Sequence, residues 1–268
     1  MKELHSTGAY QDAMSFIMAL FYTMPRILAM FAVIPIFGRQ QMPNLLRMAI
    51  ASGLGVIVAP TLLAGMQAGM APQGLALVGL VVKECFIGLV LGYLIAIPFW
   101  GFEAIGFIID NQRGASIAAT INPLTGHDSS PLGILFNQAF IVFFLIAGGF
   151  GLMLDILYNS YAQWSVFLWW PKIDQSVVPL LLAQLDGLVN MAVLLAAPAI
   201  IAMFLAEIGL ALVSRFAPQL QVFFLAMPIK SGLAFLVLML YTATLFEYGG
   251  EYLRGMKNVL PIATEWFR

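Results

Sequence analysis

Along the chain, apolar residues gather into six runs separated by polar or proline-containing breaks. They are Ala13 to Ile34, Leu45 to Leu63, Leu75 to Ile97, Leu132 to Leu154, Leu188 to Val213 and Ile229 to Phe246. At about 1.5 Å of helix rise per residue, runs near 20 residues match a hydrocarbon core of about 30 Å. In lipid every backbone N–H and C=O needs a partner, and a helix supplies these one segment at a time. A membrane barrel would need alternating strands of about ten residues, a pattern the chain lacks. The pattern therefore predicts an all-α, multi-pass integral membrane protein of about six hydrophobic helices.

Pro25, Pro60, Pro98 and Pro198 lie in or at the ends of these runs. Each removes a backbone donor and favours a kink. Such kinks fit either helix packing or the lining of a pore, where protein or water satisfies the freed carbonyls. Gly88 and Gly92 form a small-xxx-small pair that would let another helix approach closely. Two linkers are long: residues 99 to 131, with Glu103, Asp110, Arg113 and Asp128, and residues 155 to 186, with Trp164, Trp169 and Trp170 before Pro171. Tryptophan favours headgroup depth, so the second linker is expected along a membrane interface or against a partner. Residues 247 to 268 turn amphipathic: Leu253, Met256 and Leu260 recur at helical spacing, and Glu251 and Arg254 are spaced for an i, i+3 pair.

Hydrophobic residues fill 62% of the 268 positions and charged residues 9%, against roughly 45–50% and about 25% in soluble domains, so a water-facing surface cannot be built. The net charge of -1 gives no basic excess for nucleic acid. The lone Cys85 excludes a disulfide framework within the chain and reads as a small buried hydrophobe. The first run carries Pro25 and Arg26 without a small-residue cleavage site, so it belongs to the mature chain. With six crossings and an external N-terminus, Arg39, Arg47, Arg113, Arg215 and Lys230 fall inside and only Lys172 outside. The same count places Arg254, Lys257 and Arg268 outside, so either one segment does not cross fully or the Trp-rich linker hides a further crossing.

Arg26, Lys83, Glu84 and Glu207 lie within the apolar runs. A charge at the centre of a span costs about 2.5–3.5 kcal/mol on insertion scales, so each needs compensation. Adjacent Lys83 and Glu84 point about 100° apart on a helix and are not expected to neutralise each other on one face. These charges either hold interhelical or intersubunit pairs or mark a proton or substrate pathway.

Catalytic chemistry finds no residues. His5 and His127 alone cannot build a histidine metal site, and His127-Asp128-Ser129-Ser130 reads as a polar turn. Neither nucleotide-binding glycine motif occurs, and no cofactor is expected.

Three stretches carry a family resemblance. The longest runs from Arg215-Phe216-Ala217-Pro218-Gln219-Leu220-Gln221 to Pro228-Ile229-Lys230-Ser231; the others are Pro25-Arg26 through Pro35-Ile36-Phe37-Gly38, and Asp110-Asn111-Gln112-Arg113-Gly114-Ala115-Ser116 leading to Asn122-Pro123. In these, in their order and in overall length, the chain resembles the export-gate family of type III secretion, called SctT in injectisomes and FliR in flagella. The wording of the Phe-Ala-Pro-Gln-Leu string favours the injectisome type.

The resemblance implies an inner-membrane subunit of the basal body in a helical, pore-forming complex for unfolded substrate proteins. It further implies SctR/FliP-like and SctS/FliQ-like gate subunits and a SctU/FlhB-like switch protein as partners, with energy supplied elsewhere. In that family hydrophobic hairpins are raised largely out of the bilayer, and a plug follows the third hydrophobic segment. Carried over, the plug is Asp110 to Pro123, whose Gly114, Ala115, Ala118 and Ala119 are small enough to fill a narrow channel. Residues Arg215, Pro218, Gln219, Gln221, Pro228 and Lys230 read as a subunit-docking turn, one helix ending near Arg215 and the next starting near Pro228. A small-molecule secondary transporter is the competing function, but no internal repeat accompanies the proline-bearing loops 36–47 and 216–230.

Overall fold

The computed structural model describes residues 2–38, 41–72, 74–115, 130–168, 177–217 and 222–265. Among them lie seven α-helices: α1 (Lys2–Val33), α2 (Asn44–Gln67), α3 (Leu75–Arg113), α4 (Pro131–Ile146), α5 (Gly149–Gln163), α6 (Val177–Phe216) and α7 (Val222–Glu265). A short 3-10 turn, Pro35–Phe37, follows α1. Five helices are long and apolar enough to cross a membrane, or six spans if the bent pair α4 and α5 counts as one.

Several boundaries differ from the sequence pattern, α6 starting at Val177 within the expected second linker among them, and three of the differences have identifiable reasons. Pro98 does not end α3, which continues to Arg113. Phe99, Phe102, Ile105 and Ile109 recur at helical spacing and are all buried, so packing outweighs the lost hydrogen bond. The fourth apolar run is broken at Ala147-Gly148, where Gly148 takes a left-handed φ of 80° as N-cap of α5. The chain from α6 to α7 also departs from the expected turn: α7 begins at Val222, so Pro228 lies inside the helix. Residues 222–227 are too apolar to leave their backbone without partners, and helix supplies these. All four prolines singled out in the apolar runs sit inside continuous helices.

The chain forms two compact units. The first comprises residues 1–96, 148–178 and 257–268. In it α1 packs on α2, where Gly55 faces the Thr23 side chain, and on α3 at Gly88 and Gly92. A Cβ at Gly88 would collide with the Arg26 carbonyl oxygen, and one at Gly92 would stand 2.8 Å from the Met30 carbonyl oxygen. The small-xxx-small pair thus buries its surface against α1, with helix backbones in near contact.

The second unit comprises residues 97–147 and 179–256. Its core is aromatic: Phe102 stacks on Phe140 at 4.3 Å between centroids, and Phe246 lies 5.6 Å from Phe102 and 5.3 Å from Phe143. Gly106 lets α3 meet the N-terminus of α4, since a Cβ there would stand 2.5 Å from the Gly133 nitrogen. The amphipathic tail is no separate segment but the end of α7. Leu253 and Met256 are buried there as expected, whereas Arg254 Nε donates to the Gly250 carbonyl at 3.3 Å and no Glu251–Arg254 pair forms.

Gly88→Leu should therefore separate α1 from α3, at a cost of about 1–3 kcal/mol or more because the obstacle is backbone. Gly232→Ala, with open space around its Cα, should change little. Melting of the detergent-purified protein checks both, and equal melting temperatures for the two variants would refute the close α1–α3 seam.

Candidate functional site

In the first unit the sequence-predicted charges Arg26, Lys83 and Glu84 come together. Arg26 from α1 reaches Glu84 on α3 through Nε to Oε2 at 2.7 Å and Nη2 to Oε1 at 3.1 Å, and both side chains are fully buried. The forked geometry of guanidinium on carboxylate is the strongest such pair available to side chains. Arg26 Nη1 donates to Ser160 Oγ at 3.0 Å and Nη2 to the Trp164 carbonyl at 2.9 Å, while its guanidinium lies 4.1 Å from the Tyr161 ring centroid. Lys83 Nζ lies 3.0 Å from Glu84 Oε1, so the neighbours do pair, against the expectation from helix geometry. Side-chain length explains this: Arg26 draws the carboxylate toward α1, and the long lysine stem bends round to the same oxygen.

Lys83 also donates to three carbonyls, of Ser165 at 3.2 Å, Val166 at 2.7 Å and Leu168 at 2.9 Å. These follow the C-terminus of α5, the negative end of its helix dipole, which favours two cations sharing one carboxylate. The strap 164–168 is fixed on its other side by Phe167, whose ring fills the notch at Gly65 and lies 5.6 Å from the Tyr22 ring. Cys85 is half-buried, its Sγ 3.9 Å from the Pro25 carbonyl oxygen.

In the second unit Glu207 on α6 pairs with Lys230 on α7 at 2.6 Å. This joins one charge read as intramembrane to one read as part of the docking turn. Arg215 is exposed in the last turn of α6, and Pro228 is exposed on α7; Pro218, Gln219 and Gln221 lie outside the described residues.

The expected plug divides in the same way. Asp110, Asn111, Gln112 and Arg113 are not in a loop but form the last turn of α3, and Gly114 caps it with a φ of 83°. Ala115 follows; Ser116, Asn122 and Pro123 lie outside the described residues, as do His127 and Asp128. Asp110 is 3% exposed. Its Oδ1 accepts from Arg113 Nε at 2.7 Å, and its Oδ2 accepts from Ser130 Oγ at 2.6 Å and the Leu132 N–H at 3.0 Å. Ser130 Oγ in turn accepts from the Gly133 N–H at 2.8 Å as N-cap of α4. Ser130-Pro131 is a readable helix start, N-cap then proline at the first position. By contrast, nothing in the sequence around Ser160 marks it as a partner for Arg26.

Fold and site together define a multi-pass helical membrane protein whose charges within the apolar helices are taken up in pairs. Residues 17–256 match the family described as bacterial export proteins, family 1, and the chain belongs to that family. It is 40% identical over 235 residues to Yop proteins translocation protein T of Yersinia pestis, covering 87% of this chain and 89% of that protein. It is 37% identical over 166 residues to the surface presentation of antigens protein SpaR of Salmonella typhimurium, 62% of each chain. To the flagellar biosynthetic protein FliR of Bacillus subtilis it is 30% identical over 248 residues, 91% of this chain and 90% of that one.

Glu84→Gln would leave Arg26 and Lys83 buried without a counter-charge, a loss of about 3–5 kcal/mol. Glu207→Gln, where the carboxylate side chain is 48% exposed, should cost less. Melting temperature and membrane yield check the order, and full yield for Glu84→Gln would show that the cluster does not hold the unit together.

Proposed function

We propose that the chain is a subunit of the type III secretion export gate in the bacterial inner membrane, helping to form the pore through which unfolded proteins leave. Its family and its similarity to a translocation protein and a flagellar biosynthetic protein support export over small-molecule transport. No catalytic role is assigned to it.

One observation carries the reading of an assembled subunit: the long helices expose apolar side chains over more length than a bilayer can cover. On α6 these run from Leu182, 56% exposed, to Phe216, 90% exposed, and include Val193, Ile201 and Leu205. That interval is roughly 50 Å of helix at about 1.5 Å per residue. Even at a tilt of about 40°, a hydrocarbon core of about 30 Å covers only about 39 Å of it. On α3 exposed apolar residues extend from Leu75 to Phe107, a similar distance. Other protein must cover the surplus, since patches of that size are not left in water. SctR/FliP-like and SctS/FliQ-like subunits, themselves apolar, are the partners we assign, with the SctU/FlhB-like switch protein at the turn after α6.

The paired state of Lys83, Glu84 and Glu207 favours structural charges over a proton path. The plug is assigned to the connection between α3 and α4, beginning after Arg113.

Photo-crosslinkers replacing Leu182 and Phe216, about 50 Å apart on α6 and so too far apart for one hydrocarbon core to reach both, should show at least one position captured by another export subunit. Lipid adducts alone at both, in an assembled and secreting complex, would contradict protein coverage. Removing residues 114–119 should make the assembled gate leaky to ions, read as conductance of membranes containing the complex. Wild-type conductance would refute the plug.

A further inference from the structure

Asp110 stands apart from the plug residues it was grouped with. It is buried, it lies on α3 rather than in the connection, and its two oxygens accept three hydrogen bonds. Two of these come from Ser130 and Leu132, twenty and twenty-two residues further on, at the start of α4. The third comes from Arg113, whose guanidinium carbon lies 5.4 Å from the centroid of the Phe235 ring on α7. One carboxylate thus joins the point where the chain leaves α3 to the point where it enters α4, and through Arg113 to a third helix.

We infer that Asp110 is a positioning residue, a latch that holds the two ends of the α3–α4 connection at fixed separation, with Arg113 tying that separation to the position of α7. The inference rests on the plug assignment above but gives Asp110 a different part in it. A plug residue would face the channel and move; this carboxylate is enclosed and bonded on both oxygens. Burial makes it a strong latch, because each lost bond leaves a polar group without water to replace it.

The test uses the assembled export complex in a Cys85→Ala background. Asp110→Asn keeps the size of the side chain but turns one acceptor into a donor, facing either Arg113 Nε–H or the Ser130 and Leu132 donors that share the other oxygen; in either orientation the bonds that remain end on a neutral amide and not on a carboxylate. Ser130→Ala removes one of the two cross-connection bonds, and Ser130→Thr retains it. Spin labels at exposed positions 111 and 134 report the separation of the two helix ends. At wild-type complex yield, Asp110→Asn should broaden that distance distribution and raise ion conductance several-fold. Ser130→Ala should do so less, and Ser130→Thr should behave as wild type. Unchanged conductance in Asp110→Asn, alongside a leaky deletion of 114–119, would overturn the latch. If that deletion does not leak, the plug assignment fails instead. The distance measurement then decides alone, with a narrow wild-type distribution in Asp110→Asn counting against the latch. Should Asp110→Asn fail to assemble, Ser130→Ala carries the same comparison.

Discussion

Glu84 is the charge on which the first unit is built. A carboxylate with no exposure to solvent is tolerable only when its oxygens are fully engaged, and here both accept from Arg26 and one also from Lys83. The consequence spreads outward because the two cations have donors left over. Arg26 uses its surplus on Ser160 and the Trp164 carbonyl, and Lys83 uses its own on the carbonyls of Ser165, Val166 and Leu168. The end of α5 and the strap after it are therefore fixed to α1 and α3 by charge, in a region where hydrophobic contact would not specify one arrangement. Polar contact of this kind selects a single packing among many apolar ones, the function we assign to it here.

Much of this was visible in the residues, and the failures share one cause. Apolar runs located all the helices meant to span, and Gly88 with Gly92 marked a close approach that α1 fills. Charges within the apolar runs call for compensation wherever they lie, yet the partner of Arg26 lies fifty-eight residues away and the Trp164 carbonyl still further on. Nothing local encodes such contacts. Pro98 and Pro228 have the look of helix boundaries, yet both lie inside helices. The periodic burial of Phe99, Phe102, Ile105 and Ile109 was the competing signal, and it won because aromatic packing over several turns outweighs one missing hydrogen bond. At the connection after α3, composition showed small residues suited to a plug. It could not show that Asp110 belongs to the helix, because that depends on Ser130 and Leu132 returning to it.

The same device appears twice along α3, once in each unit. Glu84 precedes Gly88 by four residues, and Gly106 precedes Asp110 by four, so each carboxylate stands one helical turn from a glycine on the same face. At Gly88 the absent Cβ admits the α1 backbone at Arg26 itself, the residue whose guanidinium Glu84 binds. At Gly106 it admits the α4 backbone at Leu132 and Gly133, next to the Leu132 N–H that Asp110 binds. At the second site the Leu132 N–H lies in the first turn of α4, where it has no intrahelical partner, and it donates to Asp110 Oδ2 at 3.0 Å where Gly106 lets the start of α4 lie against α3. Replacing Gly106 with a larger residue would thus release Asp110 without touching it. The glycine sets the distance, and the carboxylate converts that distance into a specific bond. In a chain surrounded by apolar surface, where helices can slide against one another at little cost, this combination fixes register at two of the places where α3 meets a neighbour.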